Sequence, residues 1–299
     1  MTTLLRWNRP LMTFTAAMAV LAVIAAVGVV ADPRILTGVP IWLKPFKFSV
    51  SFVLYAATLA WMLSLLPRRS RAAEWAATII VAVSVGEMII IVTQVVRGQT
   101  SHYNESTPLN AAMWQTMGGL IMVLFIAHFV IGIAVARQRL ADRASAHAVR
   151  WGLGLSLLGM LAAIPMVRPE QSGIAGVAGA HSVGVADGGP GLPLVGWSTT
   201  GGDLRIGHFI GLHALQALPL LALLLGRRLD QLTRIRLLAV GGTAYGVLTV
   251  LLTWQALRGQ ALLRPDSLTL TAWGTLAAAT AAVAAIVIAR RRPELALAA

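Results

Sequence analysis

The sequence predicts an all-α integral membrane protein of about eight transmembrane helices, in two tandem four-helix repeats of parallel orientation, with both termini cytoplasmic. Three observations lead there. Only 12% of the 299 residues are charged and 57% are hydrophobic, whereas a soluble domain carries about 25% charged residues. The apolar residues gather into runs near the length that crosses roughly 30 Å of hydrocarbon at 1.5 Å per residue. A polar hexapeptide also occurs twice, as QVVRGQ at 94–99 and QALRGQ at 255–260.

The runs fall at 11–31, 46–66, 73–96, 111–136, 149–167, 206–226, 237–257 and 269–289. Backbone amides in lipid find no water, so a spanning segment must be a helix or part of a closed barrel. No run alternates polar and apolar residues, so helices are expected. The first run follows a basic start and ends at Val29-Val30-Ala31, like a signal peptide. It is longer than the 7–15 residues typical of a signal core and reads as an uncleaved span. Trp42, Trp75, Trp114, Trp151, Trp254 and Trp273 lie near span ends, where indole rings suit the membrane interface. Pro165 and Pro219 are expected to kink the fifth and sixth helices.

Orientation follows from the basic residues. Of 24 Lys and Arg, sixteen lie at the N-terminus, after the second, fourth and sixth spans, and in the tail. These are arginines 6, 9, 68, 69, 71, 137, 139, 143, 150, 227, 228, 234, 236, 290, 291 and 292. The excess marks that side as cytoplasmic and the protein as multi-pass in a cell inner (plasma) membrane. The formal charge of +13 is therefore a topology signal, and no nucleic-acid partner is expected. Arginine outnumbers lysine heavily, a bias of GC-rich bacterial genomes. Cysteine is absent, which excludes disulfides, thiolate metal sites and cysteine nucleophiles.

The two hexapeptides are 161 residues apart. The same offset pairs Lys44 with Arg205, Lys47 with His208, Phe48 with Phe209 and Tyr55 with Gln216. One offset serving separated motifs points to duplication. It divides the chain into a first repeat, 1–140, and a second, 141–299. Four spans is an even number, so the repeats run in the same direction across the membrane. Their main difference is a long Gly-rich outer loop, 168–205, which reads either as a flexible linker or as a lid.

Polar residues on the spans define the candidate site. In the second span Lys44, Lys47, Ser51, Tyr55 and Thr58 fall within an arc of roughly 80°. In the sixth, Arg205, His208, His213 and Gln216 share a broader face. Glu87 lies about ten residues below the outer end of the third span, with Gln94 seven residues on. A carboxylate at that depth needs a proton, a cationic partner or a water-filled cavity. Arg97 and Arg258 suit either an anion held by a fork of N–H groups or a helix C-terminus. His102 is the loop histidine nearest these residues. His181 joins the site only if the outer loop folds back. His128 and His213 sit at different depths, which argues against their sharing a haem.

The expected ligand-binding set is thus Lys44, Lys47, Glu87, Gln94, Arg97, His102, Arg205, His208, His213, Gln216 and Arg258, converging on an outward-facing polar site between the repeats. The partners implied are the lipid bilayer and a small polar or anionic solute, transported or bound. The alternative is a membrane-embedded redox enzyme or a haem or metal protein using the His and Glu residues. Catalytic residues, cofactors and oligomeric state stay open. No P-loop, dinucleotide fingerprint, nucleophile elbow or Cys–His zinc spacing is present.

Overall fold

A computed structural model describes residues 7–168, 176–226 and 229–290. Arginines 6, 227, 228, 291 and 292 of the charge argument, and loop residues 169–175, lie outside them. Among the described residues eight helices are long and apolar enough to cross a membrane. They are α1 (Arg9–Ala31), α2 (Leu43–Ser64), α3 (Arg71–Val96), α4 (Pro108–Ala136), α5 (Arg143–Leu161), α6 (Arg205–Leu224), α7 (Gln231–Leu257) and α8 (Ser267–Ala289). Two minimal antiparallel ladders complete the fold. β1 (Ile35–Leu36) pairs with β2 (Val39–Pro40), and β3 (Ser182–Val183) pairs with β4 (Gly202–Asp203).

The helices start where side chains satisfy their orphan amides. Asn8, Ser70, Thr107, Asp142, Asp230 and Asp266 each accept from the amide three residues on. These caps explain why α5 and α7 begin at Arg143 and Gln231, six residues before the apolar runs at 149 and 237. Hydropathy registers only the part of a helix that lipid must solvate, while a cap lets the polar first turn join it. The exceptions are α2 and α6, which begin after helical Trp42 and Leu204 with no side-chain cap. α2 starts three residues before its apolar run, placing Lys44 inside the helix.

The two hexapeptides have the same local structure. Each ends a helix with a glycine in the left-handed region, Gly98 at φ 71° and Gly259 at φ 72°. The amides of Gln99 and Gln260 return to the carbonyls of Gln94 and Gln255. These are the helix-stop bonds that a glycine at this position permits. Each arginine then reaches the first turn of the next helix. Arg97 donates to Gln94 Oε1 at 2.6 Å and Asn110 Oδ1 at 3.0 Å. Arg258 donates to Asp266 at 2.6 Å and Thr269 Oγ1 at 2.8 Å, and lies over the Trp254 ring.

α1 packs along α2 and α3 along α4, while α5, α6 and α7 form a compact trio. The main core joins Leu11, Leu59, Met62, Ile80, Ile91 and Ile131 to Leu153 and Leu215. α5 and α6 cross at Gly159 and Gly211, where a methyl on either residue would overlap the other helix's backbone. Pro165 follows the end of α5 in a 3₁₀ turn, Ile164–Val167, whereas α6 continues through Pro219. α8 packs on α7 and buries only Thr269. Its remaining apolar surface suits lipid.

His128, wholly buried, holds α2, α4 and α5 together. Its Nδ1 lies 2.8 Å from the Tyr55 hydroxyl and its Nε2 2.8 Å from Ser156 Oγ, which donates to the Leu153 carbonyl. Both ring nitrogens are thereby used. Gly159→Leu should cost about 1–3 kcal/mol through overpacking at the α5–α6 crossing. Thermal unfolding in detergent reads this, and an unchanged midpoint would contradict the close crossing.

Candidate functional site

The Gly-rich segment after α5 folds back over the Arg-poor end of the bundle. Val177 bridges to Asn104, and Ala178 N donates to the Tyr103 carbonyl at 2.9 Å. The backbone amides of His181 and Ser182 then close a turn on the Asp187 carboxylate at 2.9 and 2.8 Å. After β3, residues 190–199 form a small loop closed by the Gly191–Ser198 bridge. β4 returns the chain to α6.

Asp203 anchors this cap. It is fully buried and accepts from Ser198 N, from Arg205 N, and from the Arg205 guanidinium at 2.9 and 2.6 Å. Arg205 also donates to the Gly196 carbonyl, and Lys47 donates to the Val195 carbonyl at 3.2 Å. Two basic residues expected in the site thus hold the loop that covers it. The first half uses the same device, where Asp32 chelates the backbone and side chain of Arg34. Arg34 then reaches the last carbonyls of α3. The D-x-R spacing in DPR and DLR is the signal that would have found both.

Three histidines gather beneath the cap. His102 packs its ring against Phe48, Trp114 and Tyr103 at centroid distances of 5.6, 5.7 and 6.1 Å. Its Nδ1 lies 3.1 Å from Ser101 Oγ. His181 stands edge-to-face on Tyr103 at 5.0 Å, with Nδ1 2.9 Å from Asp187 Oδ2. His208 places Nδ1 2.7 Å from the Gly159 carbonyl. A carboxylate and a carbonyl can only accept. His181 and His208 therefore carry their proton on Nδ1 when neutral, leaving the Nε2 lone pair available. His102 is within electrostatic reach of Lys44, His181 and His208.

Burial, then the positive field of Lys44 and the other histidines, pushes the His102 imidazole well below its ordinary value. Burial likewise lowers His181, outweighing its bond to Asp187. Burial opposes the charge on Asp187, but its hydrogen bonds from His181 and Ser182 prevail and hold the carboxyl well below the usual range. Both loop histidines are neutral at pH 7, and Asp187 is ionised.

Lys44 lies half-buried in the first turn of α2, within electrostatic reach of Lys47, Arg205, Asp187 and Glu87. Among the described residues its ammonium makes no hydrogen bond or ion pair. Glu87 is 1% exposed and its Oε1 has no hydrogen-bond partner. Ser84, one turn along the same face of α3, and Ser49 on α2 are also buried with unpartnered hydroxyls. Lys44, Arg205 and His208 thus sit at the starts of the two uncapped helices, with Lys47 entering the second turn of α2. Cations there oppose the helix dipole; Asp203 offsets this at α6 by meeting the Arg205 amide and guanidinium, which leaves Lys44 at α2 as the cation that favours an anion.

Other expected residues are placed elsewhere. Gln94, Arg97 and Arg258 belong to the two helix-end clamps. His213 lies 3.3 Å from Gln216, whose amide donates to Thr58 at 3.1 Å, bridging α6 to α2. Sequence reasoning left out Tyr103, Asp187 and Asp203, and admitted His181 only conditionally. Among the described residues no group of three His, Asp or Glu is arranged to hold a metal ion. Compared with protein-family profiles, functionally characterised proteins and solved structures, the chain has no significant match.

The pH dependence of the cap follows from its histidines. Groups held neutral in the folded state and charged in the unfolded one cost stability as pH falls below about 6.5. The cap over 176–203 should therefore loosen progressively as pH falls below about 6.5, read by hydrogen exchange of its amides. His102→Phe should flatten that slope. A slope identical in the variant would show that His102 is not held neutral.

Proposed function

We propose that the chain is a solute-binding transport protein with its site on the outer side of the membrane, beneath the 176–203 cap. The ligand class is a small polar solute bearing an anionic group. One observation carries this reading: the Lys44 ammonium, half-buried at an uncapped helix start, makes no hydrogen bond or ion pair among the described residues. A buried cation is costly unless something neutralises it. Glu87, deeper and with Oε1 unpartnered among the described residues, needs a proton of its own or a hydrogen-bond donor. A solute with its anionic group toward Lys44 and a donor toward Glu87 would satisfy both. Lys47 and Arg205 add positive field while tying down the cap. His102, His181 and His208 supply neutral hydrogen-bonding groups around the solute.

The architecture proposed for this task is two tandem repeats, 1–140 and 141–299, with both termini cytoplasmic. The matched hexapeptide clamps and the shared absence of caps on α2 and α6 support duplication. The arginine excess at the opposite end supports the orientation. Parallel repeats flanking a site formed by helix starts are a recurrent transporter plan.

A second reading, a metal or haem protein, is favoured by one feature. His181 and His208 each have Nδ1 fixed by an acceptor, the arrangement that presents Nε2 to a metal. Purified protein with visible absorption or stoichiometric metal, lost in His181→Ala and His208→Ala, would establish it in place of the solute reading.

For the solute reading, purified protein is screened by thermal shift against short carboxylates, amino acids and inorganic oxyanions. Hits are then tested for counterflow in proteoliposomes. Lys44→Met should weaken binding roughly 10- to 100-fold, the range for losing a hydrogen bond to a charged group. The reading fails if no solute stabilises the protein, or if Lys44→Met binds as tightly as the parent.

A further inference from the structure

The opposite, Arg-rich end of the bundle holds a second feature, independent of the solute site. The turn between α4 and α5 borders a hollow of about 710 Å³, open to solvent on one side and lined by Arg137, Gln138, Arg139, Arg143, His147 and Arg150, with no acidic side chain in its wall. Four guanidiniums around one space repel each other unless an anion or solvent intervenes. Arg137, Arg139 and Arg143 take part in none of the ion pairs among the described residues. The nearest carboxylate in sequence, Asp142, is already used: it caps α5 through Ser145 and meets Arg234.

Arg150 shows how the space is held open. Its guanidinium donates to the Ala136 and Gln138 carbonyls at 3.3 and 2.9 Å, strapping α5 to the end of α4. Its Nε is buried with no partner among the described residues. His147 donates from Nδ1 to the Arg143 carbonyl at 2.8 Å, which leaves Nε2 for another contact. A guanidinium fork matches phosphate oxygens better than any other anion-binding side chain does.

The hollow does not end at the arginines. A second hollow of about 250 Å³ shares His147 and Arg150 with it and continues along Trp151, Gly154 and Leu155. These residues recur at three- and four-residue spacing, so they form one face of α5. Trp151 is backed by Gly242 of α7, and a Cβ added at Gly154 would meet nothing within 4 Å. A basic hollow thus adjoins, at His147 and Arg150, an apolar surface groove that follows α5 into the membrane-spanning region. A free phosphate would need the first part only. A ligand using both has an anionic phosphate head and a hydrocarbon tail.

We infer that this end of the protein binds an anionic phospholipid, its phosphate among Arg137, Arg139, Arg143 and Arg150 and one acyl chain in the α5 groove. The inference requires only that the eight helices lie in a bilayer. It is unaffected if the solute reading fails, because none of these residues lies near the cap.

The full-length protein, purified in mild detergent, is titrated with phosphatidylglycerol, with phosphatidylcholine, and with glycerol 3-phosphate and inorganic phosphate as tail-less probes. Retention is read by native mass spectrometry and by thermal shift. Phosphatidylglycerol should be retained at least tenfold more tightly than phosphatidylcholine. Arg139→Gln and Arg143→Gln should each weaken it about fivefold, as expected for one basic side chain near an anionic lipid. Gly154→Phe leaves every charge in place and fills the groove; it should weaken phosphatidylglycerol severalfold. Equal retention of the two lipids overturns the inference. So does glycerol 3-phosphate binding as tightly as phosphatidylglycerol with Gly154→Phe silent, which would assign the hollow to a free phosphate compound.

Discussion

The cap end depends on one buried charge. Asp203 is inaccessible to solvent, and its carboxylate is met on both oxygens by the Arg205 guanidinium and by backbone amides of Ser198 and Arg205. A carboxylate so placed tolerates no alternative arrangement, since losing any partner leaves charge in a low-dielectric interior. It therefore fixes three things together: the start of α6, the return of the cap through β4, and the direction of Arg205. The Gly196 carbonyl, also bound by Arg205, and the Val195 carbonyl bound by Lys47 follow from that placement. The long loop is a folded element because its root is electrostatically locked.

The two ends of the bundle solve opposite problems. At most helix starts an Asn, Ser, Thr or Asp cap satisfies the first amides and complements the dipole. α2 and α6 instead begin with cations and no cap. At α6 Asp203 meets both the Arg205 amide and its guanidinium, whereas at α2 the Lys44 ammonium makes no hydrogen bond or ion pair among the described residues, and that unpaired cation is the physical basis for expecting an anion there. At the Arg-rich end four of the basic side chains flank one open hollow at the α4–α5 turn, across which Arg150 bonds back to the end of α4.

The repeated hexapeptide is informative in a way its composition does not suggest. QVVRGQ and QALRGQ resemble ligand-binding motifs, since each carries an arginine between two glutamines in an apolar context. In the fold each is a helix stop and a strap. The glycine permits the left-handed turn, the first glutamine bonds the following backbone, and the arginine grips the first turn of the next helix. Polar residues near the membrane must find partners inside the protein. A recurrent helix-to-helix connection meets that requirement as well as a binding site does. Spacing alone cannot distinguish the two, because the deciding atoms, Asn110 and Thr269, lie on the following helices.

Hydropathy and length alone determined the eight helices, because lipid imposes a threshold on each segment separately and no tertiary contact can relax it. The periodicity of Lys44, Lys47, Arg205 and His208 likewise placed them on two helix faces. It could not show that His181, Asp187 and Tyr103 join them. Those residues arrive through backbone bonds such as Asn104 to Val177 and Tyr103 to Ala178, between segments more than seventy residues apart. Nor could it show that Gln94, Arg97 and Arg258 find their partners in helix-end clamps, or that a basic hollow adjoins an apolar groove on α5. Those outcomes rest on which donors and acceptors meet once the helices pack, and only the tertiary structure decides that.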